Sequence, residues 1–168
     1  DAVHAIEEVM DGRSLATVHG DAFIVETTYP ADYRHGHAAL ATTAPLTTIV
    51  QWARDVRLSQ VDPAQFFFID TETTGLAGGT GTYAFLIGVG SIDGSGFRLR
   101  QFFMRDYGEE PSLLARLAEY LEAFDVLITY NGKAYDQPLL ETRFRMARAR
   151  HPFGRLEHLD LLFGARRL

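Results

Sequence analysis

The 168 residues predict an α/β domain built on a mixed sheet of about five strands, three antiparallel and the rest parallel through helices, with helices on its faces. Two observations predict it. Three apolar or alternating runs, at 66–70, 83–89 and 97–103, follow one another through connections too short for a crossover, so they pair antiparallel. After them, helical and strand patterns alternate, as parallel strands joined by crossover helices require.

The chain opens on a lead-in segment. Leu15-Ala16-Thr17-Val18 and Ala22 to Thr27 flank His19-Gly20-Asp21 and read as a hairpin. Asp32 to His37 is a polar loop. Pro45 to Arg57 has helical spacing, with Leu46, Ile49, Val50 and Ala53 on one side, and Asp62-Pro63 breaks it. Phe66-Phe67-Phe68-Ile69 is the continuous apolar run of a strand buried on both faces, and it ends in Asp70. Ile92 to Phe97 turns from the second strand into the third. Glu109-Glu110-Pro111 suits a helix first turn, and Leu113, Leu114, Leu117, Leu121 and Phe124 form its apolar stripe. Val126 to Tyr130 is a fourth strand and Asp136 to Arg150 a second helix. Leu156 to Leu162 is a fifth strand, or a strand turning into a helix. Residues 1–60 are therefore an N-terminal extension of hairpin plus helix, and 61–168 the domain proper. The first residue is Asp1, and Ala165-Arg166-Arg167-Leu168 reads as the start of a helix, so a piece of a longer protein, incomplete at its C-terminal end, is expected.

Composition excludes several functions. Without cysteine there is no disulfide scaffold, thiolate zinc site or cysteine nucleophile. No apolar stretch has the length of a membrane span and no signal peptide opens the chain, so no membrane partner and a cytoplasmic location are expected. A net charge of −6 argues against a generic nucleic-acid coat. The charge is uneven, with eight Lys and Arg against four Asp and Glu from Lys133 onward. Arg143, Arg145, Arg148 and Arg150 read either as a solvated helix face or as a phosphate-facing strip. The histidines lack zinc-site spacing. Gly79-Thr80-Gly81-Thr82-Tyr83-Ala84 fits the dinucleotide fingerprint, but a strand pattern follows where a helix is needed.

The chemistry concentrates in two segments. In Asp70-Thr71-Glu72, residues two apart in an extended segment point to one side, so both carboxylates can aim at one spot. Such a pair about 4 Å apart repels by roughly 4 kcal/mol at an effective dielectric of 20, and a cation between them relieves this. An all-oxygen donor set suits Mg²⁺ or Mn²⁺. The second segment is Tyr130-Asn131-Gly132-Lys133-Ala134-Tyr135-Asp136-Gln137-Pro138-Leu139-Leu140. Read alone, Asp136 suits a helix N-cap as well as a metal ligand on the strand-end rim of the sheet.

Phe68 to Leu76 resembles the first exonuclease motif of DnaQ-like proofreading nucleases. Tyr130 to Leu140 resembles the second, in the longer-spaced form of family B polymerase exonuclease domains. The run from Phe66 to Leu168 is similar to the bacterial YprB-like family of predicted ribonuclease-H-like exonucleases. That family also carries Gly78 to Tyr83, Gln101-Phe102-Phe103 and His158-Leu159-Asp160-Leu161-Leu162 in this order. The resemblance implies a ribonuclease-H-like fold and a DEDD-type 3'–5' exonuclease acting on single-stranded DNA or RNA ends with two divalent cations, Mg or Mn. It implies that Asp70 bridges both cations, that Glu72 holds the one binding the attacking water and that Asp136 holds the other. Thr73 and Thr74 would touch the terminal nucleotide, and Asn131 and Lys133 would reach a phosphate or position the second motif. The pattern also needs a fourth aspartate, with a tyrosine or histidine four or five residues before it. Asp160 lies only 24 residues past Asp136, with His158 two before it. Both read mainly as fifth-strand residues, with Asp160 a further possible ligand, and weak or absent activity is predicted for these 168 residues alone. The alternative is a non-catalytic nucleic-acid-binding module on the same scaffold.

Overall fold

The computed structural model describes residues 4–40, 47–75 and 80–166. A short helix, α1 (Ile6–Val9), precedes the hairpin of β1 (Gly12–Thr17) and β2 (Gly20–Pro30). The hairpin turns through Val18-His19, with Thr17 opposite Gly20. Gly20 takes φ +110°, which glycine adopts without a Cβ penalty. The polar loop holds a two-residue ladder, β3 (Arg34–His35) and β4 (Ala38–Ala39). Helix α2 (Thr47–Ala53) is shorter than its pattern predicts, because Arg54 takes a left-handed φ of +55° and a 3-10 turn, Val56–Gln60, follows. Pro45 and Leu46 of the predicted helix, Leu76, Gly78 and Gly79 of the motifs, and Arg167 and Leu168 of the final helix lie outside the described residues.

From Phe66 onward the elements follow their predicted order: β5 (Phe66–Thr73), β6 (Ala84–Asp93), β7 (Gly96–Phe103), α3 (Glu110–Leu121), β8 (Val126–Thr129), α4 (Asp136–Met146), β9 (Glu157–Asp160) and α5 (Leu161–Ala165). The segment 156–162 is thus a strand that turns into a helix. Helix α4 stops short of Arg150, because Arg148 takes a left-handed φ of +55° and the Ala149 N–H returns to the Phe144 carbonyl.

One seven-stranded sheet runs β1-β2-β7-β6-β5-β8-β9. Strands β5, β6 and β7 are antiparallel, and β8 and β9 join parallel to β5. The N-terminal hairpin extends this same sheet, with β2 pairing along β7 from Phe23↔Phe103 to Pro30↔Gly96. One face buries Ile24, Phe67, Ile69, Ile87, Val89 and Phe102 under Leu113, Leu114, Leu117 and Leu121 of α3 and Leu139, Leu140 and Phe144 of α4. The other face, across β5, β8 and β9, places Phe66, Phe68, Val126, Ile128 and Leu159 under Ile49, Val50 and Ala53 of α2 and Leu58. Each fully buried Leu or Phe contributes about 1.5–3 kcal/mol. Among the described residues no helix is long and apolar enough to cross a membrane.

Candidate active site

The site arises where two ladders end at different heights. Strand β5 pairs with β8 only as far as Phe68↔Ile128, whereas its pairing with β6 continues to Thr73↔Ala84. Beyond Phe68 the β8 side of β5 is therefore open to the loop after β8 and the start of α4. That loop turns through Asn131, at a left-handed φ of +66°, and Gly132. A Cβ on Gly132 would meet Thr129 at 2.5 Å, so the chain passes this point only as glycine. A cavity of about 590 Å³ results, lined by Asp70, Thr71, Thr73, Tyr135, Asp136 and Thr142 among others, with no Lys or Arg among its described lining residues. Strand ends of this kind are where open α/β sheets bind ligands.

Asp136 is only 7% exposed, and the Thr71 hydroxyl donates to its Oδ1 at 2.6 Å. It does not cap its helix: the N-cap position is Tyr135, with no side-chain cap bond. Its carboxylate is spent instead on a residue 65 positions earlier in the chain. Burial pushes the Asp136 carboxyl above the usual carboxylate range. The Thr71 hydrogen bond opposes this, and the negative charge of Asp70 adds to it. Two oxygen-donor acids thus share a cavity, one of them buried, with no cationic side chain among its described lining residues. That donor set fits a divalent cation.

Glu72 does not join them. It is exposed and lines a groove on the open part of the sheet, with Asp70, Phe97, Leu99 and Gln101 around it. Among the described residues, no three His, Asp or Glu side chains stand close enough to hold one metal ion. The strand alternation that aims Asp70 and Glu72 alike also aims Thr71 the other way, and Asp136 meets Thr71. Among the described residues Asp70 alone borders both spaces, and a bulge at Glu72/Thr73 bends the strand just beyond it.

The other expected residues divide. Thr73 borders the cavity, its hydroxyl donating to the Gly75 carbonyl at 2.9 Å. Thr74 closes the loop after the first motif: its N–H donates to the Tyr83 carbonyl, and its hydroxyl oxygen accepts from the Tyr83 N–H, both at 3.0 Å. Asn131 and Lys133 direct their backbone N–H groups to Asp160, at 2.7 and 3.0 Å. The Lys133 ammonium lies 5.9 Å from the Phe163 ring, in a separate pocket that also holds His158 and Asp160.

Arg143 is not part of a phosphate-facing strip. It is 3% exposed, and its Nε and Nη2 donate to Glu110 at 2.5 and 2.6 Å. Nη1 donates to the Thr80 carbonyl at 2.7 Å, and the guanidinium stacks 3.8 Å from the Tyr83 ring. It ties α4, two turns beyond Asp136, to α3 and to the loop following the first motif. Arg145, Arg148 and Arg150 are exposed. Sequence reading missed this tie, although Glu110 and Arg143 were both visible as charges on otherwise apolar helix faces. Tyr135, 64% exposed at the cavity, was also missed; its only signal was its place beside Asp136.

The family model of the RNase H superfamily matches residues 67–168, more than half of the chain and all of the site just described. The chain belongs to the RNase H superfamily. It is also 37% identical over 157 residues to the "Uncharacterized protein YprB" of Bacillus subtilis (strain 168). The alignment covers 86% of this chain and 36% of that relative, so the chain spans about a third of the relative's length. In this RNase H superfamily member, the matched region begins at the second residue of β5 and takes in every element that borders the Asp70–Asp136 cavity.

Proposed function

We propose that this chain carries the metal-binding part of a nuclease that hydrolyses nucleic-acid phosphodiesters, of the DEDD 3'–5' exonuclease type. The supporting observation is the buried Asp136 carboxylate, fixed by Thr71 and facing the Asp70 cavity with no Lys or Arg among its described lining residues. Superfamily membership supports a nucleic-acid substrate.

In this reading Asp70, Asp136 and Glu72 would be the residues that hold divalent cations, Mg or Mn. When bound, such cations would supply Lewis-acid chemistry to phosphodiester hydrolysis. The protein's own part is positioning. Thr71 holds the Asp136 carboxylate at one oxygen and leaves the other for a ligand. Thr73 borders the space beside Asp70 and, with Thr74, contacts the terminal nucleotide. Exposed Tyr135 offers a ring face to a nucleotide base at the cavity mouth. This reading also calls for a fourth acid and a water-orienting Tyr or His.

One observation favours a second reading. No three acidic or imidazole side chains share a point among the described residues, as suits a non-catalytic nucleic-acid-binding module. Titration calorimetry with Mn²⁺ separates the two. The nuclease reading expects Mn²⁺ binding by the 168-residue chain that is lost in Asp70→Ala and in Asp136→Asn. Absent heat, or heat unchanged in both variants, sinks it and leaves the binding module.

A further inference from the structure

Asp160 is a buried carboxylate whose hydrogen-bond partners among the described residues are backbone N–H groups. It is 4% exposed. Its Oδ1 accepts from Asn131 at 2.7 Å and from Leu162 at 3.1 Å, and its Oδ2 accepts from Lys133 at 3.0 Å. A carboxylate out of water needs such donors, and these hold it ionised without a cation. Two of the three belong to the loop between β8 and Asp136.

His158, two residues earlier on β9, holds the other end of the same segment. Its Nε2 lies 2.8 Å from the Thr129 hydroxyl, and its Nδ1 bonds the Gln137 side-chain oxygen. An amide oxygen only accepts, so Nδ1 carries the proton and Nε2 accepts from Thr129. The Gln137 amide nitrogen donates onward to Glu141 at 2.8 Å. The second motif is thus gripped at Asn131 and Lys133 by one side chain and at Gln137 by the other, with Asp136 between.

We propose that His158 and Asp160 are positioning residues, neither ligands nor proton carriers, which together hold residues 131–137 so that Asp136 faces Asp70. This rests on the nuclease reading only for its consequence, cation affinity; the grip itself is testable alone.

The test combines Mn²⁺ calorimetry with amide hydrogen exchange on the 168-residue chain. In Asp160→Asn, an amide NH2 must face at least one backbone N–H. The number of bound cations should stay as in the wild type, and affinity should fall about 10–100-fold, the range for residues that orient metal ligands. Asn131 and Lys133 amides should exchange faster while those of the β5–β6 ladder do not. Loss of one bound cation with exchange at Asn131 and Lys133 unchanged would make Asp160 a ligand and overturn the proposal, as would an Asp160→Asn chain unchanged in both respects. If the wild type binds no Mn²⁺, the nuclease reading fails and exchange alone decides the grip, unchanged rates overturning it. If Asp160→Asn does not fold, His158→Leu decides. Faster exchange at the first-turn amides of α4 supports the proposal, and wild-type rates there refute it.

Discussion

At the scale of single residues, burial moves two side chains around the second motif away from their ordinary protonation behaviour. Asp136 and His158 are both shifted by burial first, in opposite senses of charge: the acid upward, the imidazole down to about 4, with Lys133 adding to the latter. The sign for His158 follows from linkage. An unfolded chain takes up its proton near pH 6.5, whereas the folded chain does so only near 4. His158 therefore contributes stability fully present above about pH 6.5 and lost as pH falls through that window, with a slope of at most about 1.4 kcal/mol per pH unit. Urea denaturation between pH 7 and 4 should show this slope in the wild type and a shallower one in His158→Gln. Identical slopes would mean the ring protonates in the folded protein as freely as in the unfolded one.

At the scale of elements, the second motif is a short segment fixed from three sides. Thr71 reaches it from β5, the pair His158 and Asp160 from β9, and Arg143 anchors the helix that follows. The Arg143–Glu110 pair is buried on both sides, at 3% and 9% exposure. Attraction in such a pair is largely offset by desolvation, yet removing one partner leaves a buried, unpaired charge and costs about 3–5 kcal/mol. Arg143→Met should therefore destabilise the chain by that amount in equilibrium unfolding. Adding Glu110→Gln to it should recover part of the loss, since no lone charge then remains. A double variant no more stable than Arg143→Met would show that the carbonyl contacts to the 80–82 loop, and not the charge, dominate.

At the scale of the whole molecule, the N-terminal hairpin is an integral part of the sheet. Strand β2 covers the full length of β7, and Ile24 sits in the main core beside Phe102. Without it β7 would become a long, unpaired edge with Phe102 uncovered, and open edges template aggregation. A chain beginning at residue 61 should consequently be insoluble, or lack a cooperative thermal transition by circular dichroism. A soluble, cooperatively folding 61–168 chain would show that the lead-in segment is dispensable.

Much of this was legible in the residues. The run of apolar side chains at 66–69 marked a central strand because both its faces need cover. The stripe Leu113, Leu114, Leu117 and Leu121 marked α3, since its spacing matches the helical repeat. Asp70 stood out as an acid ending a buried apolar run, whereas Asp136, read alone, suited a helix N-cap as well as a ligand. These are local properties, fixed by side-chain period and polarity within a few residues. The tertiary structure alone decided which distant groups meet. Alternation along β5 is the same whether Asp136 approaches from one face or the other, so sequence could not show that Thr71 would receive it while Glu72 turned to the neighbouring groove. Nor could it show that Asp160 would spend its charge on the backbone of Asn131 and Lys133. Those pairings depend on where the β5–β8 ladder stops, and strand register is set by the packing of both sheet faces together.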